Sequence, residues 1–147
     1  MKRISLILLT GAVCASLLFA AGCKNDRRLG PRFPDPSLDP NRVWVAIEPI
    51  QCLGNPWEQD WLKSNEDSYS AYPKDPTRQG LTPEEFEIIK DFYSRQGVVV
   101  FEGETRPKYD NVCLACSCPE GHTLYLWVRA GDVETMISFG YRVESPL

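Results

Sequence analysis

From Thr123 to Arg129 apolar and polar positions alternate without a break. Leu124, Leu126 and Val128 fall on one face, and Thr123, Tyr125, Trp127 and Arg129 on the other. A period of two over this stretch predicts a half-buried strand. Val43 to Glu48 alternates in the same way, Val43, Val45 and Ile47 against Trp44, Ala46 and Glu48, and predicts a first strand ending near Pro49. Residues 53–81 break the alternation and read as a long connection, with Tyr69 and Tyr72 ahead of Pro73, Pro76 and Gly80. Within it Trp57 and Trp61 stand four residues apart, a spacing that puts both on one face of a short helix. Such a pair most simply makes a small satellite core beneath a loop.

Thr82-Pro83-Glu84-Glu85 predicts a helix start, with Thr82 as the cap, Pro83 in the first turn and Glu85 completing a capping box. Phe86, Ile89 and Tyr93, joined by Ile88 and Phe92, form its apolar stripe, and Gly97 stops it. Glu84, Glu85 and Glu87 read as the helix N-terminus and its solvated face. Val98 to Phe101 predicts strand two, and the run 123–129 is strand three. Asp132 is placed to cap a short helix, Val133 to Phe139, closed by Gly140, and Tyr141 to Val143 predicts a last strand. The order β-α-β-β-α-β predicts an α+β fold of the ferredoxin-like split type, with a long insertion after the first strand.

Ahead of this domain lies a different pattern. Lys2 and Arg3 precede an uncharged run from Ile4 to Gly22, which reads as a secretory signal. It ends in Phe19-Ala-Ala-Gly-Cys23. These residues resemble the lipobox of bacterial lipoproteins, with Ala20 where Leu is usual. The resemblance covers residues 1–23 and implies cleavage before Cys23, lipidation of that cysteine, and attachment to a membrane through acyl chains without a spanning segment. Lys24 rather than Asp follows, which in Gram-negative lipoproteins implies the outer membrane, with the domain facing the periplasm. Residues 23–41, with Pro31, Pro34, Pro36 and Pro40, then read as a semi-extended tether, and 42–147 as one domain.

The formal net charge is −4. Removing the signal takes away Lys2 and Arg3 and no acids, leaving −6. That excludes nucleic acid and anionic lipid surfaces as partners recognised through charge. A single histidine, His122, limits general acid–base schemes. The expectation is a non-catalytic protein that binds an envelope protein or a small ligand.

Two features carry the candidate chemistry. In the predicted topology strands one and two run the same way, so Cys52 meets Cys113, Cys116 and Cys118 at one end of the sheet. In an oxidising compartment four cysteines in a small domain predict two disulfides. Pairing Cys116 with Cys118 closes too tight a ring. Two sets stay open: Cys52–Cys116 with Cys113–Cys118, or Cys52–Cys118 with Cys113–Cys116. The alternative is a thiolate site for Zn or Cu built from the same four cysteines and His122. Thiol redox through Cys113 and Cys116 lacks the strand-then-helix setting that lowers a thiol pKa. The second feature is aromatic. Trp44, Tyr125 and Trp127 face away from Leu124, Leu126 and Val128, and predict either an exposed binding platform or rings covered by the tether or by the 53–81 connection.

Overall fold

The computed structural model describes residues 39–65, 68–75, 77 and 80–146. The signal peptide, Cys23 and most of the tether therefore lie outside the described residues. The domain is α+β. Four strands, β1 (Arg42–Ile47), β2 (Val100–Pro107), β3 (His122–Arg129) and β4 (Arg142–Val143), form one sheet in the order β2-β3-β1-β4. Each neighbouring pair is antiparallel. Three helices, α1 (Pro56–Ser64), α2 (Pro83–Arg95) and α3 (Val133–Ser138), contribute Trp57, Leu62, Ile89, Phe92, Tyr93 and Met136 to a core completed by Val45, Val100, Leu124, Leu126 and Val128 of the sheet.

The inward set of β3 is the one that the alternation predicted, because Leu124, Leu126 and Val128 are the residues that benefit from leaving water. In β1 Val45 alone joins the fully buried core, and Ile47 packs against it from a half-buried position. Helix α2 begins as expected: Glu85 N–H donates to Thr82 Oγ1 at 3.0 Å, and Pro83 follows the cap. It ends at Gly97, whose φ of 79° is costly for a residue with a Cβ and which lets Val98 N–H return to Tyr93 O at 3.0 Å. The expected capping box is only half made. The Glu85 carboxylate accepts from Tyr72 Oη at 3.2 Å instead of reaching back to Thr82, and Glu85 is buried, not solvated. Asp132 holds the N-cap position of α3 as expected, but its carboxylate accepts from Val99 N–H at 2.9 Å and from Arg129 and makes no side-chain cap hydrogen bond.

Strand β2 starts later and runs further than Val98–Phe101 suggested. Between Val100 and Glu102 the register shifts against β3, so that Val100 faces Val128 while Glu102 faces Trp127. Phe101 is the extra residue of a bulge, and the shift brings Gly103 opposite Leu126 on the core face. A Cβ at Gly103 would lie 2.7 Å from the Phe86 ring, so the missing side chain is what lets α2 settle on the sheet.

Candidate functional site

The chain leaves β1 through Glu48-Pro49-Ile50-Gln51 and is laced to the segment that precedes β3. Gln51 N–H donates to Cys118 O at 2.9 Å, and Glu120 N–H donates to Pro49 O at 2.8 Å. The Gln51 side-chain amide donates to Cys113 O at 2.7 Å and Pro119 O at 3.1 Å. These contacts bring the four cysteines together as the topology implied. Of the two pairings left open, Cys52 joins Cys116 and Cys113 joins Cys118, with Cα atoms 5.1 and 5.8 Å apart. Both bridges draw on the same four cysteines that the zinc or copper alternative would use. The remaining member of that set, His122, is buried, with Nε2 3.8 Å from Glu120 Oε2.

Cys52 and Leu53 both adopt the left-handed backbone region, with φ of 59° and 51°. For residues with a Cβ this costs about 1–2 kcal/mol each. The Cys52–Cys116 bridge, a hydrogen bond from Tyr69 Oη to Cys52 O, and one from Gln59 Nε2 to Leu53 O hold the turn in place. The turn forms one wall of a cavity of about 290 Å³, lined by Cys52, Leu53, Tyr69, Tyr72, Lys74, Asp75 and Glu120. A narrow cleft bordered by Trp57, Glu58, Lys74, Glu85, Glu120 and His122 shares Lys74 and Glu120 with it.

The floor between them is a buried charge cluster. Lys74 Nζ donates to Glu58 Oε1 at 2.6 Å and to Glu120 Oε1 at 2.5 Å. Glu58 is fully buried, and its Oε2 accepts from Asn55 N–H at 2.9 Å and Asn55 Nδ2 at 2.6 Å. Glu85 lies beside them on Tyr72. Burial opposes the charge on Lys74, but Glu58 and Glu120 outweigh it and raise the lysine pKa. Burial raises Glu58 despite Lys74. Glu85 is pushed up to about 7, first by burial and then by the charges of Glu58 and Glu120, with Lys74 and the Tyr72 hydrogen bond acting the other way.

This raised value has a definite sign. Glu85 holds its proton more tightly folded than unfolded, so its favourable contribution is complete below about pH 4.5 and is lost as pH rises through about 7. The difference is about 3 kcal/mol. Glu58 acts in the same sense, whereas Glu48, Asp132 and Glu144, with lowered values, act below the ordinary carboxylate range and outside this window. Urea unfolding is expected to show the domain losing stability between pH 5 and pH 8, and Glu85→Gln is expected to flatten most of that slope. An unchanged slope in the variant would assign the titration elsewhere.

The aromatic residues occupy the other face of the sheet but make no exposed platform. Trp44 stands opposite Trp127, their rings stacked at 5.9 Å, and Phe101 packs edge-on against Trp127. The Arg42 guanidinium lies 3.8 Å from the Phe101 ring centre and 4.8 Å from that of Trp127. Tyr125 Oη donates to Glu144 Oε1 at 3.0 Å. Trp44, Tyr125 and Trp127 are 2, 8 and 5 % exposed, so these rings are packed surface and not open surface.

Glu58, Lys74, Glu85 and Glu120 are site residues that sequence patterning passed over. One signal was available: Asn55-Pro56-Trp57-Glu58 has the spacing of a cap whose acid reaches back, and α1 starts there. Trp57 and Trp61 do share this helix, Trp57 in the main core and Trp61 packed against it, so they extend that core and form no separate satellite. No family model, curated protein or solved structure matches this chain.

Proposed function

We propose that the chain is a non-catalytic, disulfide-stabilised lipoprotein of the cell envelope, whose domain binds a small ligand in the cavity beside the cysteine rim. The observation that carries the reading is the cavity itself: a walled space of about 290 Å³ over a buried polar floor, next to a turn held in a costly conformation. That volume lies at the lower end of ligand pockets and suits a compact molecule. Strained backbone next to such a space fits preorganisation for binding. The carboxylates are already engaged by Lys74, Asn55 and Tyr72, which favours recognition over proton transfer. The strand order β2-β3-β1-β4, with α2 between β1 and β2 and α3 between β3 and β4, supports a ferredoxin-like arrangement. The basic start, apolar run and Cys23 support the anchor.

The test uses protein purified from membranes. Mass analysis is expected to find diacylglycerol on Cys23. Amide shift mapping against a pool of low-molecular-mass envelope extract is expected to move Leu53, Tyr69, Lys74 and Glu120. Shifts confined to other surfaces, or none, would remove the cavity as the binding site.

A further inference from the structure

The two bridges differ in their surroundings. Cys52 and Cys116 are both exposed, so the long bridge lies at the surface, whereas Cys118 of the short bridge is buried. Gln51 also holds the short bridge at both ends, its backbone N–H donating to Cys118 O and its side-chain amide to Cys113 O. The long bridge instead ends in the left-handed turn of Cys52 and Leu53, the two non-glycine residues with positive φ among the described residues. That conformation is costly for a residue with a Cβ, and opening the long bridge frees Cys52 to leave it. Opening the short bridge relieves no such turn. Loop length, which makes the long bridge the larger stabiliser of the fold, acts through the unfolded chain. It does not decide which bridge yields in the folded domain, where exposure and strain do.

From this arrangement we infer that Cys52–Cys116 is a redox-sensitive latch on the cavity, opened by an external dithiol while Cys113–Cys118 stays closed. A thiolate of the dithiol attacks Cys116 Sγ, forms a mixed disulfide there and expels the Cys52 thiolate. The second thiol of the dithiol then attacks its own sulfur in that mixed disulfide and expels the Cys116 thiolate. Two electrons pass from the dithiol to the bridge, the dithiol leaves as a disulfide, and its two protons end on Cys52 and Cys116. The effect on the cavity is direct, because Cys52 and Leu53 line it and Cys52 O accepts from Tyr69 Oη on the same wall. It is also local. Leu53 packs in the main core and its carbonyl accepts from Gln59 Nε2, so the turn loosens without detaching from the domain. A local bond change that biases one segment between two arrangements is how thiol switches act. As a control on ligand binding the latch rests on the reading proposed above; its opening does not.

The test equilibrates the full-length wild-type lipoprotein, in detergent micelles, with graded ratios of reduced to oxidised dithiothreitol. Free thiols are trapped by alkylation and located by peptide mass mapping, and backbone amide resonances are followed in parallel. Cys52 and Cys116 are expected to become alkylated together, at a reduced-to-oxidised ratio about tenfold or more below that for Cys113 and Cys118. The Leu53 and Tyr69 amides are expected to shift with the same midpoint, while those of Val45 and Leu126 hold still. Opening of Cys113–Cys118 first, or of both bridges at one ratio, overturns the inference. So does opening of Cys52–Cys116 that leaves Leu53 and Tyr69 unmoved, or that shifts Val45 and Leu126 equally, since the bridge is then a plain structural brace. No ligand enters this titration, and the mapping with envelope extract is made with the bridge closed, so the latch and the binding site fail separately.

Discussion

Trp127→Ala is expected to lower the stability of the domain by about 3–5 kcal/mol, the range for truncating a buried aromatic side chain. The alternation of β3 alone would class Trp127 with Arg129, as a residue whose loss the fold tolerates. Its surroundings decide otherwise: 5 % exposure, a stacked Trp44, an edge-on Phe101 and the Arg42 guanidinium 4.8 Å from its ring centre. Stacked and edge-on pairs add about 0.5–1.5 kcal/mol beyond area burial. Trp127→Phe keeps part of that packing and should recover about half of the loss. Urea unfolding of the three proteins is the measurement. A loss below about 1 kcal/mol for Trp127→Ala would mean that this face is open in solution, and would return it to consideration as a binding surface.

Removing the long bridge by Cys52→Ala with Cys116→Ala is expected to cost about 4 kcal/mol, since the joined residues are 64 apart in sequence and the chain-entropy model grows with loop length. Removing the short bridge by Cys113→Ala with Cys118→Ala, across a separation of only 5, should cost about 2 kcal/mol. The ordering is the informative part. The long bridge also fixes the left-handed turn at Cys52 and Leu53, so its loss should open the cavity, whereas loss of the short bridge should leave ligand contacts at Leu53 and Tyr69 intact. Thiol titration of the wild type should find none of the four cysteines free before reduction. Four free thiols with bound zinc or copper would replace the disulfide account with a metal site.

The parts of this fold legible in the sequence are those with local causes. Period two placed β3 and its inward face. A threonine cap and a glycine stop bounded α2 almost to the residue. What escaped depends on distant partners. The end of β2, Glu102 to Arg106, is mostly charged and lacks the apolar alternation that marks a strand; pairing with β3 makes it one. Ring geometry left two disulfide sets equivalent, and the choice between them depends on how the segments around Cys52 and Cys113–Cys118 lie against each other, which local spacing does not encode. Charged residues pattern as surface, so Glu58, Lys74, Glu85 and Glu120 gave little sign of meeting indoors. Faces are readable from alternation, but what covers a face is not, and Trp44, Tyr125 and Trp127 show the difference.

The position of β1 in the sheet also governs how the domain responds to force. The chain enters β1 directly from its N-terminal side, and β1 lies between β3 and β4. A pull from residue 39 is directed along a strand gripped from both sides, which must shear past its neighbours and break many hydrogen bonds together instead of unzipping them singly. Beyond β1, tension crosses the Cys52–Cys116 bridge and bypasses everything between those residues. The hidden length is considerable: 64 residues span about 220 Å when extended. Leu53, Tyr69, Tyr72, Lys74 and Asp75 all lie inside that bypass. An oxidised bridge thus makes the segment between Cys52 and Cys116 a slack loop, and a pull from residue 39 leaves Leu53, Tyr69, Tyr72, Lys74 and Asp75 off the load path.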